Sequence, residues 1–328
     1  DLDTAMDRFG ESQLFAVRSS SPEEDLATAS FAGGYETTLG GTRATLETAL
    51  VSCFTSLLDE RVVTYKQQNQ IPIDNPRIAV IVQQQIASEV SGVAFSLNPQ
   101  NNAYDEAVIN ANFGLGETVV SGQVTPDTYL VDKLEREILD RQVAAKSHAV
   151  WLMPDGGTEQ RPNDPPDAPA LTAQQVLKVA ALAESVEAHF GNPCDIEWAI
   201  QEGALYLLQS RPITTYLPLF PEMVTAPGEP KQLYLDIIVL TQGFSDSLSV
   251  LGGEIWGRML TAAKGPTMPS GADGVVWSLH GRQYLQISNM LKTFGPRLLL
   301  KQVETYDASV RTVFDSLDLA EFVPRKKP

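Results

Sequence analysis

The chain has 328 residues, 43% apolar and 20% charged, with a formal net charge of −17 at pH 7. That length suits one large or two ordinary domains with full cores, and no apolar run approaches a membrane span. The acidic balance argues against nucleic acid or an anionic membrane as partner. It leaves ATP admissible, because a local pair of arginines and a metal can reverse the field inside one cleft. Residues 1–20 show no basic-then-apolar leader. Cys53 and Cys194 are too few for a disulfide framework or a zinc site, so a reducing cytoplasm is the expected compartment.

Residues 1–215 alternate helical and strand patterns, and an α/β or α+β layered domain is predicted. Ala16-Val-Arg-Ser-Ser-Ser-Pro-Glu-Glu-Asp25 reads as a strand entering a Ser-rich turn. Arg18 at its end is a candidate phosphate ligand, or a surface arginine paired with Glu23, Glu24 or Asp25. Ser30 to Gly41 is glycine-rich. Gly33 and Gly34 allow close backbone approach to phosphate oxygens and Thr37 offers a hydroxyl, but the lysine spacing of a P-loop is lacking. A plain glycine hairpin is the other reading. Leu46, Leu50, Cys53 and Leu57 recur at helical spacing. Ile78 to Gln83 reads as a buried strand, and the backbone leaving it at Gln83, Gln84, Gln85 and Ile86 suits an adenine edge. Glu89 to Ser96 and Glu106 to Asn110 read as two further strands.

Asn110 to Asp127 is dense in turn residues, and Gly114, Gly116 and Gly122 imply sharp backbone turns. Glu117 in this stretch is read as a nucleotide neighbour or as a buried structural carboxylate. Thr172-Ala-Gln-Gln175 looks like a capping box and Gly191 like a helix stop, bracketing an amphipathic helix. His148, His189 and His280 are given structural or surface roles, since none sits in a Gly/Ser-rich loop.

Asp195 to Thr214 reads as two strands joined by a tight turn. Alternation puts Asp195 and Glu197 on one face of the first strand, and Gln209 and Arg211 on one face of the second. If the faces coincide, Glu197 and Gln209 supply oxygen ligands for Mg2+ and Arg211 reads phosphate. The other reading is an ordinary hairpin with a solvated face. A two-residue loop at Glu202-Gly203 would oppose Glu197 to Leu208 and throw Gln209 to the other face. The expectation is therefore a three-residue loop, Gln201-Glu202-Gly203, pairing Ile200 with Ala204.

Residues 216–232 carry Pro218, Pro221, Pro227 and Pro230 and are read as a linker. Beyond them Leu233 to Leu240 reads as a strand, while Phe244 to Leu260 and Ser288 to Leu317 read as mostly helical. The smaller second segment is thus mixed α/β to helical.

Together, Ala16-Val-Arg-Ser-Ser…Ser30-Phe-Ala-Gly, Glu89-Val-Ser-Gly-Val-Ala-Phe, Gly114-Leu-Gly-Glu…Val119-Val-Ser-Gly…Thr125-Pro-Asp and Gln209-Ser-Arg-Pro-Ile-Thr resemble the ATP-binding domain of the phosphoenolpyruvate synthase and pyruvate phosphate dikinase family, which rifampicin phosphotransferase shares. The match covers about residues 10–215, in order. The resemblance implies an ATP-grasp fold holding Mg-ATP. Arg18 and Arg211 would bind phosphates, the Gly33–Thr37 loop would close over them, and Gln83 to Ile86 would line the adenine pocket. Glu197 and Gln209 would ligate Mg2+. In such enzymes the β-phosphoryl of ATP passes to a histidine on a swivelling domain, releasing AMP and phosphate. The phosphohistidine then phosphorylates a small acceptor, pyruvate or an antibiotic.

The family's preceding subdomain, whose lysine reaches the phosphates, and its phosphohistidine loop have no counterpart in these residues. The expectation is a fragment that is inactive alone. Leu233-Tyr-Leu-Asp and Gly281 to Met290 resemble the region that follows the ATP domain in rifampicin phosphotransferase. Two other classes compete: a non-catalytic nucleotide-binding module, which the retained acids and arginines disfavour, and an ATP-grasp ligase, which the Gln-Ser-Arg-Pro-Ile-Thr ending disfavours.

Overall fold

The computed structural model describes residues 6–7, 9–21, 25–26, 29–30, 36–68, 77–214, 216, 219–225, 230–237, 248–264, 274–304, 308–315 and 317–323. It divides into two compact units, Asp1–Pro218 and Leu219–Pro328. Both mix helices with antiparallel sheets.

The first unit opens on β1 (Phe15–Ser20), followed by the two-residue strands β2 (Asp25–Leu26) and β3 (Ala29–Ser30) and by β4 (Thr37–Gly41). Helices α1 (Leu46–Thr55) and α2 (Glu60–Gln68) come next, then β5 (Ala79–Gln84). Strands β4, β1 and β5 form a small antiparallel sheet in that order. One face packs Phe15, Val17, Val80 and Val82 against Leu46, Ala49 and Cys53 of α1. The other face carries Ala16 and Arg18 of β1, with Gln83 and Ile81 of β5 opposite them. The run from Ile78 was expected to be a buried strand. It is instead an edge strand with Ile81 46% exposed, because only alternate side chains reach the helix.

The large sheet is built from β6 (Val90–Phe95), β7 (Glu106–Phe113), β8 (Asp127–Asp132), β9 (Glu137–Gln142), β12 (Cys194–Gln201) and β13 (Ala204–Pro212). Its order is β13-β12-β6-β7-β8-β9, and every neighbouring pair is antiparallel. Helix α3 (Glu117–Val120) follows β7, and β10 (His148–Leu152) pairs with β11 (Thr158–Pro162) as a separate ribbon. Helix α4 (Ala173–Phe190) presents Val176, Val179, Ala180, Ala183 and Val186 to one face of the sheet. That face supplies Ile196, Trp198 and Ile200 of β12, Ile109 and Ala111 of β7, and Tyr129 and Val131 of β8.

The ends of α4 follow from its sequence. Thr172 caps the start with both arms of a capping box, and Gly191 closes the helix at φ 74°, a left-handed conformation that glycine adopts without a Cβ penalty. Gly92 is required for another reason. A Cβ there would lie 1.9 Å from the carbonyl oxygen of Asn110 on the neighbouring strand, so only glycine fits at this position, which pairs with Trp198 on the other side.

The β10–β11 ribbon bridges the two sheets. At one end Val150 accepts a hydrogen bond from the Leu115 backbone at 2.7 Å, and at its tip Gly157 donates to the Gly40 carbonyl of β4 at 2.8 Å. The polar faces of the two sheets are thereby held in one unit.

The second unit contains β14 (Tyr234–Asp236), α5 (Val250–Lys264), β15 (Val276–Leu279), β16 (Arg282–Gln286), α6 (Ile287–Glu304) and α7 (Ala308–Asp315). The strands form an antiparallel sheet in the order β14-β16-β15. Its core gathers Val275, Ile287, Met290, Leu291, Leu299 and Phe314. The mostly helical stretch expected over Ser288 to Leu317 holds α6, with non-helical Gly295 before Pro296, and α7; residues 305–307 and 316 lie outside the described residues. The strand expected over Leu233 to Leu240 spans only Tyr234–Asp236, and residues 238–240 lie outside the described residues. The helix expected from Phe244 begins at Val250, with residues 244–247 likewise outside the description. Among the described residues no helix is long and apolar enough to cross a membrane.

Candidate functional site

The hairpin of β12 and β13 carries the acids and the amide. Its turn differs from the expectation. Gln201 pairs with Ala204 and Ile200 with Leu205, so the loop is the two-residue Glu202-Gly203. Both turn residues have positive φ, 50° and 76°, as in the mirror-image turns that suit the twist of paired strands. The expected three-residue loop is therefore incorrect. The consequence feared for a short loop does not follow, because the ladder shifts between Glu197 and Trp198. Trp198 pairs with Leu207, but Glu197 pairs with Gln209, and Leu208 is the extra residue of a β-bulge. Asp195 then pairs with Arg211.

The bulge places Glu197 and Gln209 on the face away from α4. There they meet Arg18. Its Nη2 donates to Glu197 Oε2 at 3.2 Å and to Gln209 Oε1. The arginine and glutamate side chains are only 17% and 23% exposed, so their charges lie largely out of water. A partly desolvated guanidinium against a carboxylate is an ion pair that solvent screens weakly. Thus a residue from the small sheet and two from the large one converge across 179 and 191 positions of sequence.

The other sequence-predicted residues fall around this point. Thr37 on β4 stands opposite Arg18 in the β1–β4 ladder and is exposed. Gln83 lies on the Arg18 face of β5 and donates from Nε2 to the Leu208 carbonyl at 3.2 Å. Gln84 is exposed, and its Cα pairs with Phe15. Gln85 is tied down by its backbone to Leu14 at 2.8 Å, and its side chain donates to the carbonyl of half-buried Ile86 at 3.2 Å. Arg211 is half-buried on the strand that carries Gln209, two residues further on. Gly33 and Gly34 lie outside the described residues. A separate cavity, lined by Ser20, Ser21, Arg77, Ile78 and Ala79, contains none of the predicted residues.

The donor set at the convergence is one carboxylate and one amide oxygen on adjacent strands. Among the described residues no three Asp, Glu, His or Cys side chains gather as a metal cage. That chemistry fits Mg2+, which takes one or two protein carboxylates and completes its shell with water and phosphate. It does not fit zinc, which prefers nitrogen and sulfur in a closed set.

A family model described as pyruvate phosphate dikinase, AMP/ATP-binding domain matches residues 2–222. The chain belongs to that family. Rifampicin phosphotransferase of Streptomyces sviceus is 35% identical over 326 residues, covering 98% of this chain and 35% of that protein. The Bacillus subtilis protein of the same name is 33% identical over 331 residues, covering 98% of this chain and 36% of that protein. A probable phosphoenolpyruvate synthase of Methanocaldococcus jannaschii is 40% identical over 210 residues, covering 63% of this chain and 18% of that protein. The chain spans about a third of the length of the first curated relatives it matches.

One acid of this pyruvate phosphate dikinase AMP/ATP-binding domain has a partner that the sequence reading did not find. Asp127 ends the Thr125-Pro-Asp motif and is fully buried, as is Lys146, whose Nζ lies 2.5 Å from Asp127 Oδ1. Asp127 also accepts from the backbones of Ala144 at 3.0 Å and Ala170 at 2.7 Å, and from the Tyr129 hydroxyl at 3.3 Å. Burial first, and the Asp127 charge second, push the Tyr129 phenol above its ordinary range. This pair ties β8 to the segments preceding β10 and α4. Lys146 stands alone in sequence without a motif, so no local signal could have named it.

Glu117, in contrast, is exposed at the start of α3, which corrects its reading as a buried structural carboxylate. Gly114 and Gly122 do take positive φ, at 69° and 68°, whereas Gly116 has φ −66° and makes no such demand. Burial raises the Cys194 thiol above its ordinary range, so this cysteine stays a protonated core residue.

Proposed function

We propose that residues 1–215 form an ATP-grasp-type nucleotide site that binds Mg-ATP for phosphoryl transfer. The single observation that carries this reading is the convergence of Arg18 with Glu197 and Gln209, made possible by the bulge at Leu208. Glu197 and Gln209 would hold Mg2+, which supplies charge neutralisation for the phosphates when bound. Arg18 and Arg211 would bind phosphate oxygens, and Thr37 lies across the ladder where its hydroxyl can join them. The Gly33 and Gly34 loop would cover the phosphates. Gln83, Gln84, Gln85 and Ile86, at the end of β5, would line the adenine pocket. Phosphoryl transfer depends on positioning and on electrostatic stabilisation, and these residues supply both.

The overall reaction in this reading is transfer of the ATP β-phosphoryl to a histidine on a mobile domain, yielding AMP and phosphate. The histidine then passes the group to a small acceptor. An antibiotic acceptor is favoured over pyruvate by one observation. The alignments to the Streptomyces sviceus and Bacillus subtilis proteins named rifampicin phosphotransferase cover 98% of the chain, while that to the Methanocaldococcus protein covers 63%. The second unit would then open the acceptor-binding domain, with residues 216–232 as its linker. A cytoplasmic enzyme fits two buried cysteines that form no disulfide.

The test is paired, in the full-length enzyme. Glu197→Ala and Arg211→Ala are each expected to lower ATP-dependent phosphohistidine formation by at least about a hundredfold, the scale for one lost electrostatic contact in a transition state. Circular dichroism and melting must match wild type. A folded Glu197→Ala enzyme that transfers phosphate at a near-normal rate would mean that the site lies elsewhere.

A further inference from the structure

The hairpin that carries Glu197 and Gln209 would separate them if it were regular. Its two-residue turn sets Trp198 opposite Leu207. An unbroken ladder would next pair Glu197 with Leu208 and Ile196 with Gln209. Ile196 belongs to the core beneath α4, so Gln209 would turn to the helix-covered face. One extra residue, Leu208, prevents this. A bulge leaves backbone groups outside the ladder, and an interaction from elsewhere can fix where it forms.

That interaction is visible. The Leu208 carbonyl accepts a hydrogen bond from Gln83 Nε2 at 3.2 Å, across 125 positions of sequence. Gln83 stands on β5 opposite Ala16, on the same face of the small sheet as Arg18. The strand pair that presents Arg18 to Glu197 and Gln209 therefore also holds the bulge that brings those two together.

We propose that Gln83 is a positioning residue for the metal pair: its side-chain amide anchors the bulge at Leu208 and so fixes the register that sets Gln209 beside Glu197. This rests on the reading of Glu197 and Gln209 as ligands of Mg2+. It is separate from any contribution of the Gln83 backbone to an adenine pocket.

The experiment measures the Mg2+ requirement of phosphohistidine formation at saturating ATP in the full-length enzyme, together with binding of metal-free ATP in excess chelator. Gln83→Met keeps the length of the side chain and removes the donor. It is expected to raise the half-saturating Mg2+ concentration roughly two- to tenfold, the scale of one net hydrogen bond, and by a larger factor than it weakens metal-free ATP binding, since Gln83 also lines the adenine pocket in this reading. An unchanged Mg2+ requirement overturns the proposal and leaves the metal reading standing. So does weakened metal-free ATP binding alone, which would make the side chain a nucleotide contact.

Deleting Leu208 removes the extra residue and leaves a regular ladder in which Gln209 still faces Glu197. In that background Gln83→Met is expected to change the Mg2+ requirement by less than about twofold, within the cost of a lost solvated hydrogen bond. An effect as large as in the bulged protein overturns the anchoring role. If the deletion variant lacks a cooperative melt, Gln83→Asn takes its place. The neutral amide is kept but falls one methylene short of the Leu208 carbonyl, so it is expected to raise the Mg2+ requirement as Gln83→Met does, and a wild-type requirement overturns the proposal. Glu197→Gln is the control. If it leaves the Mg2+ requirement unchanged, the metal reading fails and the proposal falls with it.

Discussion

Removing either member of the buried Asp127–Lys146 pair should destabilise the first unit strongly and unequally. Both side chains are fully buried, so neither charge can be rescreened by water. Breaking such a pair costs about 3–5 kcal/mol, because the survivor is left as an uncompensated buried charge. In Lys146→Met the surviving carboxylate keeps three donors, from Ala144, Ala170 and the Tyr129 hydroxyl. That variant should lie near the lower end, about 3 kcal/mol. In Asp127→Ala the surviving ammonium keeps the Ala144 carbonyl at 3.0 Å and the Phe113 ring at 5.7 Å. The three former donors also lose their acceptor, so this variant should lie near the upper end, about 5 kcal/mol. The double variant Asp127→Asn, Lys146→Met leaves no buried charge and should cost less than either single change. Urea unfolding of the full chain, read by circular dichroism, gives the midpoint shift and the slope that converts it to free energy. Single variants that lose less than about 1 kcal/mol, the value of an exposed pair, would refute the reasoning.

Three further outcomes are expected. Gly92→Ala should be poorly folded, because its Cβ would meet the Asn110 carbonyl oxygen at 1.9 Å and backbone cannot yield cheaply; a melting temperature within a few degrees of wild type would contradict this. Thr172→Ala removes the side-chain arm of the capping box of α4, leaves the backbone N–H of residue 172 to the Gln175 side chain, and should cost about 1 kcal/mol in the same urea assay. Burial, with Asp236 adding to it, pushes the Tyr284 phenol from 10.0 up to about 12. The folded state holds that proton more tightly, so the contribution is fully present below about pH 10 and is lost as pH rises through about 12. Melting followed over that window should show the decline, and Tyr284→Phe should flatten it.

What the sequence disclosed was local. The bounds of α4 were legible because the cap, the apolar spacing and the closing glycine all lie within the helix and its flanks. The facing of Asp195 with Glu197 and of Gln209 with Arg211 followed from alternation along each strand. The register between the strands did not, because the bulge at Leu208 coincides with a contact from Gln83 far away in sequence. A count of turn residues cannot see such a contact, and the three-residue loop was the wrong solution to a real geometric need. Strands β9 and β11 carried no readable signal, since nearly all their side chains are exposed and nothing forces apolar alternation. Lys146 and its pairing with Asp127 were illegible for the same reason as the bulge: the partner is set by the tertiary fold. The candidate site residues were named from strand alternation and from the ordered motifs of the resemblance, and the bulge brings Glu197 and Gln209 to Arg18.

The central claim is that Glu197 and Gln209 hold the metal of Mg-ATP. A crystal structure of the full-length enzyme with Mg2+ and a non-hydrolysable ATP analogue tests it most directly. The expected result is Mg2+ at about 2.0–2.1 Å from an oxygen of Glu197 and from the amide oxygen of Gln209, with Arg18 and Arg211 on the phosphates. A metal-bound nucleotide whose Mg2+ touches neither side chain would contradict the account.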